Sequence, residues 1–438
     1  MQTLPIHNQA TRPNQGQRLP NELLLHVISF LKPAGPEFLP AAHQTTKTLM
    51  TLMRVCKTTN EAASSIFSQH CIYLDSEDRT LRFARCLSLA GSRPMPGHIP
   101  PFAGITSIFM ESFLEYTDEL EGVLASVEPN PCDPSDLTRE GQCRNRGGEV
   151  EEENNEEKEE VAGDGADEED EDDEEDEDDE EDFVLIRPHP QANDLPVATA
   201  VHDIFIAVAP TLRRLMVNIP LRNLYPEEDQ LGVKAVLRRG FESLVNLEEF
   251  ASVQDELFLV TALDRIANPQ DEVWATCWPK LRRLYLFNPI IGKYFWTDVS
   301  RNPNLEVVMT GRPDGNHRLD PGDIKRRWIA ALAGHAITED VYNGAIRPLT
   351  YINVDMTGVQ PSMLGFRSAW NTLDPGERIR VRAVDTPPEA WMAELGIPIL
   401  GEPCQTRSVE MWARKHILEG TLWDEKAIGA YDPLSVAE

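Results

Sequence analysis

Leu212–Val217, LRRLMV, returns with changes at Leu247–Val253 (LEEFASV), Leu281–Phe287 (LRRLYLF) and Leu305–Thr310 (LEVVMT), and that return decides the fold. Each copy opens on Leu, places Arg or Glu second and sets an apolar residue three places after the first. Short runs of this kind, apolar and bounded by turn signals, read as buried strands. The copies begin 35, 34 and 24 residues apart, which leaves room for a helix and its turns between successive strands, so a parallel sheet with helical crossovers is expected. Pro210, Pro279 and Pro303 stand two residues ahead of three of the copies; proline ends a helix and releases the chain into the strand. Before the first copy, Val201, Ile204, Phe205 and Val208 form one helical face. After the last, Ile324–Ala333 reads as a helix opened by Asp320-Pro321, and Leu349–Val354 (LTYINV) as another strand. Glu377–Val384 (ERIRVRAV) alternates apolar residues with Arg378, Arg380 and Arg382, so a half-buried strand with a basic outer face is expected there. Trp391, Trp412 and Trp423 fall on C-terminal helices that would close the end of the stack. A unit of helix, turn and short strand cannot cover its own apolar face and must stack on the next. An irregular solenoid and a single α/β domain with an ordinary parallel sheet both satisfy the alternation.

The other informative stretch is Leu19–Leu74. Pro20 suits the first turn of a helix and Pro33 lies past its end. Between Leu23 and Leu31 only His26 and Ser29 are not apolar, more than the single stripe a helix needs to sit on one core. A second run sets Leu49, Leu52, Met53 and Cys56 at helical spacing, and a third Ala62, Ala63, Ile66 and Phe67. Three short helices have too little interior to enclose so much apolar surface, so the excess is expected to meet a partner. Arg79–Leu89 reads equally as a helix or a strand, Ile105–Phe109 as a strand and Thr117–Val127 as a helix.

These residues carry a resemblance. Leu19-Pro20, Glu22-Leu23-Leu24, Ile28, Phe30-Leu31, Leu52, Val55-Cys56-Lys57 and Asn60 resemble an F-box, the helical module that docks substrate receptors onto the Skp-family adaptor of SCF-type ubiquitin ligases. Two features depart from it: a long connection over residues 33–47, and Thr58-Thr59 where a bulky aromatic often follows VCK. The strand units resemble divergent leucine-rich repeats of the kind that follow the F-box in many fungal F-box proteins. Their L-x-x-L-x-L pattern is complete at Leu212, Leu215, Val217 and at Leu281, Leu284, Leu286; it fails at Ser252 and Thr310, and Pro220 and Pro289 stand where the repeat's Asn is usual. The resemblance implies adaptor contacts from Leu19, Pro20, Leu23, Leu24, Val27, Ile28, Leu31, Leu52, Val55 and Cys56, with a cullin scaffold reached through the adaptor.

Charge is concentrated. The net charge is −32, yet residues 149–182 hold 25 Asp or Glu and one Lys, a net −24 that leaves −8 for the other 404 residues. Such a block repels itself and offers few apolar residues against the entropy of ordering, so residues 128–183 are expected to be a disordered acidic insertion. Nothing in the remainder supplies the clustered basic charge of a nucleic-acid footprint. Seven cysteines, never spaced as C-x-x-C, give neither a disulfide framework nor a zinc site. No membrane span and no signal peptide is legible, and cytoplasm or nucleus is the expected location. No phosphate loop, H-E-x-x-H or G-x-S-x-G occurs; a non-catalytic protein without metal or cofactor is expected.

The resulting expectation is an α/β chain in five parts: a tail over 1–17, an F-box-like helical domain over 18–74, the first part of a repeat domain over 75–127, the insertion over 128–183, and a leucine-rich-repeat-like domain with a helical cap over 184–438. Its expected role is substrate receptor of an SCF-type ligase, binding an unidentified protein client through the repeats. The alternative is a scaffold or acidic chaperone that binds basic proteins through residues 149–182.

Overall fold

Every strand of the sheet pairs in parallel with the strand that follows it in sequence. The computed structural model describes residues 20–91, 104–113, 194–224, 226, 229–261, 270–313, 321–334, 348–354, 374–385 and 403–432. All of them belong to one unit built from Met1–Glu115 and Pro188–Glu438, with Tyr116–Arg187 forming a second. The expected tail over 1–17, Leu19, the helix at Thr117–Val127, the insertion over 128–183 and Trp391 lie outside the described residues.

Three helices open the described chain: α1 (Asn21–Ser29), α2 (Gln44–Leu52) and α3 (Lys57–His70). Then come β1 (Tyr73–Leu74), α4 (Glu77–Gly91), β2 (Ser107–Met110), α5 (Leu195–Val208), β3 (Arg214–Val217), α6 (Val233–Glu242) and β4 (Glu249–Ser252). The rest is α7 (Val273–Thr276), β5 (Arg283–Phe287), α8 (Lys293–Arg301), β6 (Val307–Gly311), α9 (Pro321–Gly334), β7 (Leu349–Val354), β8 (Ile379–Val384) and α10 (Pro403–Leu418). Arg79–Leu89 thus resolves as helix α4. The α/β class holds, with an eight-stranded sheet in the order β1 to β8 among the described residues.

That order fixes where the helices lie. A parallel crossover is right-handed, so a sheet that grows in one direction without reversing places each crossover helix on the same face. Leu215, Phe250, Leu284, Val308, Tyr351 and Val381 stand side by side in register and meet the crossover helices in one core with Val201, Phe205, Phe241, Trp274, Trp296 and Trp328. We call this the outer face. The Leu that opens each copy lies ahead of the strand proper and is buried at the turn: Leu212, Leu247, Leu281 and Leu305 are all at most 4% exposed. Ser252 and Thr310, where the apolar pattern fails, share one rung with Leu286 and Asn353; Thr310 bonds the Tyr351 hydroxyl at 2.7 Å.

The next residue along each strand faces the other way. Phe109, Met216, Ala251, Tyr285, Met309 and Ile352 form an inner row in register. They share a second core with Val409, Trp412, Ala413 and Ile417 of α10. This corrects one expectation: the C-terminal helix does not close the end of the stack but covers the sheet's inner face, because both faces of these strands are apolar and both must be buried. The Arg380 side chain is exposed on β8, whereas Arg382 turns inward to Glu425 at 3.4 Å and Asp432 at 3.7 Å.

The long connection after α1 also finds its reason. Phe38 enters the inner core and Leu39 the core of the three helices. Backbone bonds run from Phe38 N to Leu418 O (3.0 Å) and from Leu39 N to His70 O (2.7 Å). Arg214 of β3 clamps the joint: Nη1 donates to Pro36 O at 2.6 Å, Nη2 to Gln69 O at 3.2 Å and Nε to Ser107 Oγ at 2.8 Å, while the guanidinium lies 5.2 Å from the Phe38 ring centroid. Burial lowers the basicity of that guanidinium.

Candidate docking site

Helix α1 carries apolar residues on two faces, and among the described residues one is buried and the other exposed. Ile28 is 1% exposed and packs with Leu49, Ala63 and Ile66, with Leu24 and Leu31 half-buried beside it. On the opposite side Leu23, Val27 and Phe30 are 52%, 55% and 74% exposed. Their spacing of four and then three residues makes them one stripe. The His26 ring meets Phe30 edge-on at 4.8 Å.

Met50 on α2 and Val55 in the turn after it add exposed apolar side chains. Among the described residues thirteen large apolar side chains are exposed, and six of them fall between Leu23 and Val55. Single exposed apolar residues are ordinary on a protein surface; a concentration on one helix pair marks a contact face.

The turn between α2 and α3 is held by hydroxyl and amide groups. α2 ends at Leu52, and Cys56, which its spacing had assigned to that helix, caps α3 instead. Thr59 Oγ1 donates to Leu52 O at 2.8 Å and accepts from Cys56 N at 3.1 Å, and Asn60 Nδ2 donates to Met53 O at 2.6 Å. The buried Thr59 therefore anchors this turn, in which Val55 is 63% exposed. Cys56 is exposed, and the hydrogen bond to the Thr59 side chain, then that to its backbone, hold the thiol below its ordinary value.

The ten residues expected to bind an adaptor thus separate. Pro20, Leu23, Val27, Val55 and Cys56 are exposed; Leu24, Leu31 and Leu52 are half-buried; Ile28 is in the core; Leu19 is outside the described residues. Phe30 and Met50, which were not among the expected contacts, join the exposed set; the seven-residue spacing from Leu23 to Phe30 is the signal that could have found Phe30.

Three of the buried ionisable sites elsewhere close on partners. Asp255 accepts from Phe258 N at 2.8 Å and from Arg222 N, and desolvation pushes its carboxyl up to about 6. Lys325 and Asp374 form a buried pair at 3.5 Å; burial lowers the ammonium below its ordinary value. Glu111, 2% exposed, receives Arg414 Nε at 2.7 Å, Asn218 Nδ2 at 3.2 Å and the Tyr73 hydroxyl. Among the described residues no group of three or more His, Cys, Asp or Glu could hold a metal ion, and no helix is long and apolar enough to cross a membrane. No protein-family model, no curated protein and no solved structure matches the chain.

Proposed function

We propose that this chain is the substrate receptor of an SCF-type ubiquitin ligase, with α1 to α3 as its F-box and the sequential helix and strand units as a divergent leucine-rich-repeat-like solenoid. The observation that carries the reading is the open stripe of Leu23, Val27 and Phe30, backed by Val55, on helices whose own interior is already filled by Ile28 and Leu49. An uncharged stripe at helical spacing fits helix-to-helix docking through apolar contact. The L-P-x-E-L-L start and the V-C-K turn that the adaptor reading rests on flank this stripe. The adaptor links the chain to a cullin scaffold, and a client held on the repeat region would react by proximity to the ubiquitin-charged enzyme, with no acid or base supplied from this chain. Both partners belong to cytoplasm or nucleus.

The test is a pull-down of tagged full chain from native extract and with purified Skp-family adaptor. Leu23→Asp with Val27→Asp should abolish adaptor recovery and leave the circular dichroism melt unchanged, because both side chains are exposed. Ile28→Asp is unsuited, since it places a charge in the helical core. Full recovery by the Leu23→Asp, Val27→Asp chain would sink the proposal.

A second reading rests on the 25 acidic residues within 149–182: a scaffold for basic proteins. Salt separates the two, since tract binding collapses between low and moderate ionic strength whereas docking through apolar contact changes little.

A further inference from the structure

Past the last rung that β5 and β6 share, Phe287 beside Gly311, the chain leaves the carboxyl edge of the sheet in two turns. Loops at that edge of a parallel sheet stand on a rigid frame and are well placed to bind. Asn288 and Arg312, the first residues out, both have left-handed backbone, with φ of 53° and 43°. Leu257, in the turn after β4, has φ of 62°, so three of the four described non-glycine residues with positive φ stand in consecutive turns of one edge. Backbone of this kind is retained where the surrounding structure fixes a shape. Here the turns are tied together: Asn288 N donates to Gly311 O at 2.7 Å. The Asn288 amide, in the orientation that matches both its groups, donates to Arg312 O at 2.9 Å and accepts from Arg222 Nη1.

The turn after β5 then presents side chains that its own packing does not use. Ile290 is 60% exposed, and Tyr294, in the first turn of α8, is 81% exposed, the most of any large apolar side chain described. Lys293 beside it is exposed as well. Arg312 adjoins through Asn288, and Arg327 of α9 reaches the same turn, where its Nη1 donates to Ile291 O at 2.8 Å. Among the described residues none of these three cations forms an ion pair. Glu256, the carboxylate that meets the turn, accepts from Ile290 N at 3.3 Å and is answered by Arg222 at 3.2 Å. The amino edge of the same strands differs: there Arg213, Arg282 and Arg283 each meet a glutamate, at 3.1, 2.7 and 2.8 Å. Outside residues 149–182 the chain carries a net −8, yet this corner gathers unanswered positive charge around an exposed aromatic and an exposed aliphatic side chain.

We propose that the turn Ile290–Tyr294, with Arg312 and Arg327, binds an acidic peptide segment of a partner protein that carries an apolar side chain among its carboxylates. The cations steer and register such a segment, and Tyr294 with Ile290 supplies the anchor. A nucleic acid fits the corner less well, since a phosphate backbone calls for a longer stripe of cations and the chain as a whole, at −32, repels it. The inference goes beyond the adaptor reading: it concerns other residues, needs no ligase component, and stands or falls separately.

The experiment titrates the full chain into a fluorescein-labelled peptide, Glu-Asp-Glu-Leu-Phe-Glu-Asp-Glu, followed by anisotropy at low ionic strength. Lys293→Glu with Tyr294→Ala should weaken binding by roughly tenfold and leave the circular dichroism melt unchanged, because both side chains are exposed. Lys47→Glu, at an exposed cation of α2, is the charge control and should leave the affinity unchanged. A peptide with Ser-Ser in place of Leu-Phe should bind more weakly, and one with Lys in place of every acid should not bind. Failure of the unchanged chain to bind the acidic peptide would overturn the proposal, as would equal affinity of the unchanged chain and the Lys293→Glu, Tyr294→Ala chain. Tighter binding of an oligothymidine than of the acidic peptide would overturn it too, since the partner would then be a nucleic acid.

Discussion

Replacing Arg214 by Ala should loosen the N-terminal helices from the sheet, and the size of the effect follows from its contacts. The guanidinium makes three hydrogen bonds, to Pro36 O, Gln69 O and Ser107 Oγ, at 2.6 to 3.2 Å, and lies over Phe38. A hydrogen bond to a charged group contributes about 1.5 kcal/mol at the low end. Water reaches part of this site, so about half of that sum, roughly 2 kcal/mol, is the appropriate figure once screening is allowed for. The contact with Phe38 adds about 0.5 kcal/mol. Urea unfolding followed by tryptophan fluorescence should therefore show a loss of about 2 to 3 kcal/mol, with the m-value checked for change. Arg213→Ala is the control: its pair with Glu248 at 3.1 Å has both side chains 40% exposed, and such surface pairs contribute at most about 1 kcal/mol. Arg214→Lys keeps the charge but not the fork and should fall between the two. Hydrogen exchange in Lys57–His70 should rise in Arg214→Ala. If Arg214→Ala costs no more than Arg213→Ala, the clamp is not what holds the joint.

Other outcomes follow from single contacts. Gly420 has φ of +70°, and a Cβ there would sit 2.7 Å from Glu37 N, whereas Gly429 has the same φ and nothing within 4 Å. Gly420→Ala should therefore destabilise by clearly more than the roughly 1 kcal/mol of left-handed strain expected for Gly429→Ala; equal losses in paired urea melts would remove Pro36–Phe38 from contact with the helix end. Asp255 has its carboxyl raised by burial from 3.8 to about 6, with Glu256 raising it further and Lys234 and the backbone donors opposing. The folded chain takes up a proton there more readily than the unfolded chain, so this group's penalty is complete above about pH 6 and fades as pH falls toward 3.8. That displacement corresponds to about 3 kcal/mol, and the stability of the unchanged chain relative to Asp255→Asn should climb by up to that amount between neutral pH and pH 4; a flat difference would refute the assignment. Cys56 and Cys86 are exposed, and Cys71 is buried with its thiol raised by desolvation. Iodoacetamide followed by mass spectrometry should modify Cys56 before Cys71, and bound adaptor should protect Cys56 while leaving Cys86 reactive.

The sheet was legible because its signals are local. The Leu that opens each copy, the proline two residues ahead and the apolar residue three places on are all within one strand and its turn, and Leu212, Leu247, Leu281 and Leu305 take the buried positions this pattern assigns. The polar slips at Ser252 and Thr310 were visible too, although not that they would share a rung. Contacts across hundreds of residues left no such trace. Arg414 meets Glu111 over 303 positions and Arg214 meets Pro36 over 178, and no periodicity links such partners. On the helices, the excess of apolar residues was evident but its division was not: α1 is apolar on both sides, so sequence alone could not tell that Ile28 turns inward while Leu23 and Val27 turn out. Cys56 at helical spacing from Leu52 misled for a related reason, since the capping threonine that ends the run lies three residues further on.

The central claim is that the stripe of Leu23, Val27 and Phe30 is a docking face for a Skp-family adaptor, and calorimetric titration of the full chain with the purified adaptor tests it most directly. The account predicts a one-to-one complex with a negative heat-capacity change, as burial of apolar surface requires, and an affinity that changes little as salt rises several-fold. No binding, or binding of equal strength by the chain carrying Leu23→Asp and Val27→Asp, would contradict it.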